Sequence, residues 1–287
     1  MTQVSGKLIE VLDKAVKRNI QEENVGVLLS GGLDSTLVAV LASRHSQVTG
    51  YTTGTGKSED VSHVRKLSKK LDIKLEIIEL TLDDLREKLP HIVSLAGTNP
   101  VKVGASIPLY YVTRRVSEKT LLSGQGADEL FGGYHKYLEV LAKKGYQGLQ
   151  EATAGDVKAM YKENLEREER ICTERGLDIR YPFMDPEFIK YSLSLDPLEK
   201  IKDIGSGSEF SCIDEVDGRR YVRKYLLRRA AQHAGLPPEV LDRKKKAAQY
   251  GSGAHKLLIK LAKEQGFREK ARKADKKHYL SMFLKKI

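Results

Sequence analysis

The first half of the chain alternates short apolar runs with amphipathic segments. Apolar residues at helical spacing predict a helix over residues 5–19, and VGVLL at 25–29 predicts a buried strand. The same pattern predicts further strands at 48–54, 74–80 and 119–124, with helices from Ser35 and over 58–71, 81–89 and 108–116. Strands that alternate with helices need crossover connections, so we expect a doubly wound parallel sheet of the α/β class.

The second half of the chain has a different pattern. After about residue 134 strand signals nearly stop, and helical patterns such as those at 156–171 and 223–235 predominate. Residues 200–220 are the most loop-like stretch and a candidate for a mobile cover over a site. We therefore interpret residues 1–287 as a single domain with a sheet half to about residue 134 and a mainly helical half beyond it.

Length and composition narrow the class of protein. A chain of 287 residues is long enough to bury a large core. No apolar run approaches the roughly 20 residues of a membrane-spanning helix, and the N-terminus lacks the apolar core of a signal peptide, so we expect a cytoplasmic protein without a membrane partner. Cys172 and Cys212 form no CxxC pair, which excludes a disulfide framework and a four-cysteine metal site.

Positive charge collects late in the chain. The net charge is +11, and basic residues cluster in RRYVRKYLLRR at 219–229 and RKKK at 243–246. This excess favours anionic partners. A solvated cationic face is one interpretation and a surface for RNA or polyphosphate is the other, and the sparse aromatic residues there leave both open.

The loop SGGLDS at 30–35 lies between a predicted strand and a predicted helix. Ligands bind at such points on open parallel sheets, and glycine amides, serine hydroxyls and a helix N-terminus suit a phosphate. Asp34 would repel a phosphate unless a cation intervened, so we interpret it as a ligand of Mg²⁺. The alternative is an ordinary glycine-rich turn with a helix-capping aspartate.

A second loop, SGQGADELFGGY at 123–134, also follows a predicted strand and also carries acids. Two strand ends with two acids suggest one shared Mg²⁺ bound by Asp34 and Asp128. That ion would hold the β- and γ-phosphates of a nucleotide and leave the α-phosphate open to attack. Alternatively, Asp128 and Glu129 only cap the next helix.

GYTTGTGKS at 50–58 is similar to a P-loop but has the wrong spacing. Five residues separate Gly50 from Gly56, whereas the P-loop pattern requires four. This disfavours a kinase or a P-loop ATPase. Residues 52–54 end the second predicted strand and remain candidates to line an adenine pocket.

Four segments resemble the synthetase domain of the asparagine synthetase family, in the family's order. They are GVLLSGGLDSTLVAVLA (26–42), LLSGQGADELFGGY (121–134), GLDIRYPFMDPEF (176–188) and RKKKAAQYGSG (243–253). The resemblance covers roughly residues 5–255, whereas SGGLDS alone indicates the broader PP-loop ATP pyrophosphatases. It implies ATP and Mg²⁺ as cofactors, activation of a carboxylate as an acyl-adenylate with release of pyrophosphate, and attack by ammonia.

Position by position, the resemblance also implies roles for residues of this chain. The phosphate and Mg²⁺ ligands would be Ser30, Gly31, Gly32, Asp34 and Ser35, with Asp128 as the second metal ligand. The residues that frame the nucleotide would be Leu28, Leu29, Thr53, Gly54, Ser123 and Gly124. The catalytic candidates are Gln125, Glu169 and a lysine, Lys246 or Lys245, that neutralises pyrophosphate. The substrate-side candidates are Arg170, Asp178, Arg180 and Asp185, for which structural ion pairing is the alternative.

The chain departs from the family pattern in three places. Glutamine-dependent members begin with a glutaminase domain, but this chain enters the synthetase segment almost at once, so we expect free ammonia, another amine or a separate glutaminase subunit. Gln125 replaces the usual glutamate and cannot accept a proton. Gly104 and Ile107 replace an arginine and a threonine near the aspartate site, which removes a bidentate clamp for a carboxylate.

Together these features predict an ATP-dependent amide-forming ligase that acts on a small carboxylate, by default aspartate. Amidation of another carboxylate is one alternative, and modification of a tRNA base, which the basic second half permits, is another. A nucleotide-binding protein with little activity is a third. The presence of Asp34, Asp128 and the Lys245/Lys246 pair favours an active enzyme.

Overall fold

Five parallel strands form the central sheet of the computed structural model, which describes residues 3–205, 207–245, 247–273 and 278–287. The strands are β1 (Asn24–Leu28), β2 (Gln47–Gly54), β3 (Lys74–Glu79), β4 (Thr120–Leu122) and β5 (Asp178–Arg180). Their order across the sheet is β3-β2-β1-β4-β5. The prediction of a doubly wound parallel α/β fold is confirmed.

Helices pack against both faces of this sheet. They are α1 (Gln3–Arg18), α2 (Leu33–Ala42), α3 (Glu59–Leu71), α4 (Leu82–Ala96), α5 (Pro100–Thr113), α6 (Ala127–Phe131), α7 (His135–Met160), α8 (Glu166–Thr173), α9 (Pro186–Ser194), α10 (Pro197–Lys200), α11 (Tyr225–His233), α12 (Pro238–Leu241), α13 (Ala248–Gly251), α14 (Ala254–Glu264), α15 (Phe267–Lys273) and α16 (Tyr279–Leu284). A π-helical turn, Tyr161–Leu165, joins α7 to α8, and a 3₁₀ turn, Pro182–Met184, precedes α9. None of these helices combines the length and the apolar character that crossing a bilayer requires.

The strand order places two loops of similar sequence side by side. β2 and β3 lie on one side of β1, and β4 and β5 lie on the other, so the direction of winding reverses between β1 and β4. Gly26 pairs with Leu121 and Val27 with Leu122, in parallel register. Because parallel strands end at the same edge of a sheet, the loops after β1 and β4 border one crevice, which is where open α/β sheets bind ligands.

Two apolar cores cover the two faces of the sheet, because side chains along a strand alternate between faces. Leu122 contributes to the core beneath α1, α2 and α11, while its neighbour Leu121 contributes to the core beneath α4, α5 and α14. Helix α11 of the second half packs on α1 and α2 of the first half, and β5 extends the sheet. The helical half thus completes the core of the sheet half.

The prediction of a loop over residues 200–220 was wrong where three strands form. They are β6 (Ile201–Asp203), β7 (Asp214–Val216) and β8 (Arg219–Arg223), in the antiparallel order β6-β8-β7. Asp217 and Gly218 connect β7 to β8 with φ values of 51° and 72°. An Asp-Gly pair favours such a two-residue hairpin, but the charged strand residues hid the alternating pattern.

Two helix boundaries also differ from their predicted positions. Helix α4 continues through Pro90 to Ala96, and α5 begins at Pro100 rather than at Pro108. The side chain of Asn99 accepts hydrogen bonds from the amides of Val101 and Lys102 at 2.9 and 3.2 Å. An asparagine cap followed by proline in the first helical position is a strong start signal, and it outweighs the interior Pro108.

The core beneath α2 yields a prediction for stability. Leu37 is 0% exposed, so we expect Leu37→Ala to lower the free energy of unfolding by about 2–5 kcal/mol, through lost apolar burial and a residual cavity. Urea unfolding followed by circular dichroism measures this change. Leu198→Ala is the control, since Leu198 is 43% exposed and should change stability by no more than about 0.5 kcal/mol. A Leu37→Ala effect as small as that of the control would contradict the assignment of this core.

Candidate active site

A cavity of about 810 Å³ opens where β1, β2 and β4 end. Its lining includes Leu28, Leu29, Ser30, Asp34, Ser35, Thr53, Ser123, Gly124, Gln125, Asp128 and Lys245. An adjoining narrow cleft of about 50 Å³ shares Ser30, Asp34, Ser35 and Lys245 with it and adds Gly32. Most of the predicted nucleotide and metal residues are therefore gathered at one site.

The loop after β1 presents its polar groups toward the helix that follows it. The hydroxyls of Ser30 and Ser35 lie 3.0 Å apart, and the amide of Gly32 donates to the Ser30 hydroxyl at 3.3 Å. Gly32 is the N-cap of α2 and supplies no side-chain acceptor to the first amides of the helix. Asp34 lies inside the first turn of α2, not at its cap position. Uncapped helix amides beside serine hydroxyls are suited to binding phosphate.

The backbone conformation and the surroundings of position 31 favour glycine. Its φ is +69°, and an added Cβ would lie 2.6 Å from the ring of His63. Burial, followed by the nearby charge of Arg243, lowers the pKa of His63, whose Nε2 lies 3.1 Å from the Gly31 carbonyl oxygen. Arg243 donates to the Ser30 carbonyl oxygen at 2.8 Å and pairs with Asp60 at 2.5 Å. These contacts tie the loop to the segment that carries the late lysines.

A buried lysine joins the two acidic loops. Nζ of Lys224 lies 2.6 Å from Asp34 and 2.7 Å from Asp128, and Nζ of Lys245 lies 2.5 Å from the other oxygen of Asp128. Burial disfavours the ionised form of Asp128, but the two lysines outweigh it and hold the pKa of this carboxyl below its usual range. One nitrogen bonds both carboxylates, so Asp34 and Asp128 are close enough to share a single cation.

The donor set at this point fits Mg²⁺ bound together with phosphates. Oδ1 of Asp34 is buried and has no hydrogen-bond partner among the described residues. Carboxylate oxygens are preferred ligands of Mg²⁺, which often takes one or two carboxylates and completes its coordination with substrate phosphates and water. Across the described ranges, no cluster of three or more acidic, histidine or cysteine side chains could hold a metal by itself. Asp34 and Asp128 therefore fit a metal that arrives with a nucleotide.

Cationic side chains surround the narrow cleft beside Asp34. They are Arg223, Lys224, Arg228, Arg243, Lys244 and Lys245. Arg228 is held by backbone carbonyls, since it donates to Leu241 and, at 2.9 Å, to Arg223. Fixed cations that outnumber the local acids favour a polyanion such as pyrophosphate.

The two walls of the large cavity differ in polarity. Helix α5 contributes only apolar lining residues, which are Val101, Ala105, Pro108, Leu109 and Val112. Gly104 packs against Gln249, and Ile107 is fully buried away from the cavity. Another part of the lining, called the polar wall below, carries Glu129, Tyr134, Lys136, Asp156, Glu163, Asn164, Arg167 and Glu168. The polar wall therefore supplies charged and hydrogen-bonding groups to the cavity, whereas α5 supplies none.

Two buried carboxyl groups of the polar wall have raised pKa values. Burial raises the pKa of Glu168 to about 7, although the Arg167 guanidinium 3.9 Å away opposes the shift. Glu168 accepts a hydrogen bond from the Gln125 amide at 2.7 Å. Burial and the charge of Asp128 raise the pKa of Glu129, which accepts a hydrogen bond from Tyr134 at 2.9 Å.

Several predicted residues do not line the cavity. Glu169, Arg170, Asp178, Arg180 and Asp185 lie outside it, and Gly54 ends β2 beside Ser58. Asp178 pairs with Arg180 at 2.6 Å, in agreement with the structural ion pairing considered from the sequence. Asp185 likewise pairs with Arg18 at 2.7 Å, and Glu169 accepts from Tyr161 on the surface at 3.0 Å. Lys246 is outside the described residues.

Lys224, Arg167 and Glu168 line the site and were missed by sequence reasoning. Lys224 has φ of +55°, an unusual value for a lysine that no local pattern predicts. For Glu168 a signal existed. Leu165, Glu168 and Cys172 follow helical spacing and are all buried, which assigns Glu168, and not Glu169, to the inner face of α8.

Comparison with known proteins identifies the family. The asparagine synthase family model matches residues 7–148 and 139–283, so the chain belongs to the asparagine synthase family. A putative glutamine-hydrolyzing asparagine synthetase of Methanocaldococcus jannaschii is 35% identical over 91% of this chain and 52% of its own length. A glutamine-hydrolyzing asparagine synthetase of Brassica oleracea is 30% identical over 84% of this chain and 42% of its own length. The chain thus spans about half the length of the curated relatives it matches.

Solved structures with similarity to this chain include two synthetases. NMN synthetase from Francisella tularensis has a TM-score of 0.43 at 16% identity and covers 86% of this chain and 76% of its own. NH3-dependent NAD synthetase from Campylobacter jejuni has a TM-score of 0.33 at 19% identity and covers 61% of this chain and 92% of its own.

The contact of Lys224 with buried Asp128 and partly buried Asp34 predicts a large effect on stability. We expect Lys224→Met to lower the free energy of unfolding by about 3–5 kcal/mol, because it removes the cation that compensates buried carboxylates. Urea unfolding at pH 7 measures the change. Lys260→Met, at a side chain 61% exposed beside Glu264, should change stability by less than about 0.5 kcal/mol. Equal stability of the Lys224→Met variant and the wild type would contradict the pairing.

Glu168 yields a prediction for the pH dependence of stability. Its pKa rises from 4.5 to about 7 in the folded chain, so its stabilising contribution is fully present below pH 4.5 and is lost as the pH rises through 7. Glu168→Gln cannot ionise and should gain stability relative to the wild type between pH 5 and pH 8, by up to about 3 kcal/mol. Unfolding free energies at both pH values test this. Glu169→Gln is the matched control, and the same pH response in both variants would refute the shift.

Proposed function

We propose that the protein is an ATP-dependent ligase that activates a small carboxylate as an acyl-adenylate, releases pyrophosphate and forms an amide with ammonia. Aspartate is the default carboxylate. The observation that carries this proposal is that Asp34 and Asp128 both bond Nζ of Lys224. They do so beside a serine- and glycine-rich loop, at the point where the winding of the sheet reverses. Membership of the asparagine synthase family supports the same class of reaction.

The two ends of the cavity suit the two ends of ATP. The loop at 30–35, with the first amides of α2 and Lys245, would bind the β- and γ-phosphates and stabilise the departing pyrophosphate. Mg²⁺ would be held by Asp34 and Asp128, and when bound it neutralises phosphate charge. Leu28 and Thr53, at the ends of β1 and β2, would frame AMP. This orientation leaves the α-phosphate facing the remaining cavity, so a carboxylate that attacks it displaces pyrophosphate.

A small carboxylate substrate has a partner on the polar wall. Arg167 is buried in the cavity lining, and its Nε has no hydrogen-bond partner among the described residues. Nη1 of Arg167 donates to the Glu163 carbonyl oxygen at 3.0 Å, which fixes the guanidinium in place. A buried guanidinium with a free donor favours a carboxylate ligand. This group would serve in place of the arginine that α5 lacks.

Ammonia is the proposed nucleophile, taken from solution or supplied by a separate glutaminase subunit. The names of the curated relatives describe glutamine hydrolysis by those proteins, of which this chain matches about half. No part of the cavity lining provides a cysteine nucleophile, since both cysteines of the chain are described and buried elsewhere.

The reaction products provide the direct test. Incubated with ATP, Mg²⁺, ammonium and single carboxylates, the protein should release AMP and pyrophosphate in equal amounts, together with an amide. Chromatography of nucleotides and a coupled pyrophosphate assay measure them. Release of ADP and phosphate would contradict adenylation. Product formation with tRNA alone would favour base modification, and no turnover with any substrate would favour a binding protein.

A variant tests the residues behind this reaction. Asp34→Asn should reduce pyrophosphate release at least 100-fold while the circular dichroism spectrum stays unchanged, because it removes one of two carboxylates at the proposed metal site. Asp83→Asn is the control, because Asp83 is 88% exposed and far from the cavity lining. Unchanged turnover in the Asp34→Asn variant would reject the metal role.

A further inference from the structure

Glu168 is a buried carboxylate of the cavity that phosphate binding does not use. It lies on α8, in the polar wall, and is separate from the cluster of Asp34, Asp128 and the lysines. Its Oε1 accepts a hydrogen bond from Gln125 at 2.7 Å. Its Oε2 is buried and has no hydrogen-bond partner among the described residues. Glu168 therefore presents one fixed oxygen and one free oxygen inside the cavity.

The partner of Glu168 places it at the reacting end of the cavity. Gln125 follows Ser123 and Gly124, which line the nucleotide side, and its amide N–H donates to the Ser123 hydroxyl at 3.3 Å. Gln125 thus connects the loop after β4, through its backbone, to Glu168 in the polar wall, through its side chain. The carboxylate of Glu168 therefore lies at the boundary between the nucleotide side and the polar wall, where an adenylated substrate would meet a nucleophile.

The surroundings of Glu168 suit proton transfer near neutral pH. Burial raises its pKa to about 7. The charge of Arg167 and the hydrogen bond from Gln125 oppose that shift, and the charges of Glu129 on α6 and Glu169 on α8 add to it. Tyr181 and Cys172 also face Glu168, but burial raises the pKa of both and keeps them neutral. A base with a pKa close to the working pH transfers protons most efficiently.

The other acids of the cavity have different partners. Asp156 pairs with Lys136 at 2.7 Å, and Glu163 pairs with Lys102 at 3.0 Å. Glu129 accepts a hydrogen bond from Tyr134 and directly follows the proposed metal ligand Asp128 in the chain. Glu129 Oε2 is also buried without a hydrogen-bond partner among the described residues, but Glu129 lies next to Asp128, whereas Glu168 is on a different helix.

Building on the amide-forming function proposed above, we propose that Glu168 is the general base for the nitrogen nucleophile and that Gln125 positions it. As the amine nitrogen attacks the acyl carbon, the C–N bond forms and the nitrogen loses a proton to the free oxygen of Glu168. The C–O bond to the phosphate then breaks, and AMP leaves with the electron pair. Glu168 returns the proton to solvent. The carboxylate that loop residue 125 lacks is thus supplied from α8.

Separate assays of the two half-reactions test this role. The carboxylate that releases pyrophosphate in the wild type is used without amine for ATP–pyrophosphate exchange and with ammonium for amide formation. Glu168→Gln should lower kcat for amide formation at least 100-fold while exchange changes less than 3-fold. At a fixed concentration of free ammonia, amide formation by the wild type should fall below about pH 7, and this limb should vanish in the variant. Glu166→Gln, at an exposed residue of α8 that does not line the cavity, is the control and should leave both half-reactions unchanged.

A reciprocal exchange sharpens the test. Gln125→Glu combined with Glu168→Gln returns a carboxylate to the same hydrogen-bonded pair and should restore at least a tenth of the wild-type rate. Three results would overturn the role. They are loss of both half-reactions together in Glu168→Gln, a decrease in its amide formation below 3-fold, and a double variant no faster than Glu168→Gln. Failure of the wild type to release pyrophosphate with any carboxylate would instead overturn the proposed function, and this inference with it.

Discussion

The ammonium group of Lys224, bound between Asp34 and Asp128, is the contact on which the site depends. It joins the loop after β1, the loop after β4 and the junction of β8 with α11. Without a cation between them, buried Asp128 and partly buried Asp34 would repel each other. The arrangement that suits a metal and phosphates is therefore also a structural necessity, because it keeps both halves of the chain in place around the crevice.

The sheet order brings the two loops close enough for this contact. An added Cβ at Gly124 would lie 3.0 Å from the amide nitrogen of Ser35, so the loops touch at backbone distance. Only strands that are neighbours in a parallel register place their following loops in this way. The similarity of the two LLSG segments reflects one requirement met twice, since each loop must turn sharply beside the other at the same edge of the sheet.

Much of the basic run at 219–229 acts inside the protein. Arg223 pairs with Asp214 at 2.7 Å, Lys224 bridges the acids, and Arg228 donates to the Leu241 carbonyl. These three side chains line the cleft beside Asp34, so their positive charge lies at the cleft and not on an outer surface. An RNA surface on the basic half stays a prediction. The role of Gln125 likewise depends on a distant element. Gln125 cannot accept a proton itself, but its side chain donates a hydrogen bond to Glu168 of α8.

The sequence by itself determined the alternation of strands and helices in the first half, the two phosphate-sized loops and the acids they carry. These features depend on periodicity and glycine spacing within a few residues, which a single segment contains in full. Only the tertiary structure decided that Lys224 meets Asp34 across 190 positions, that Gln125 bonds Glu168 of α8, and that β6, β7 and β8 form a small sheet. Such contacts arise from packing between elements that are distant in the chain, which local spacing does not specify.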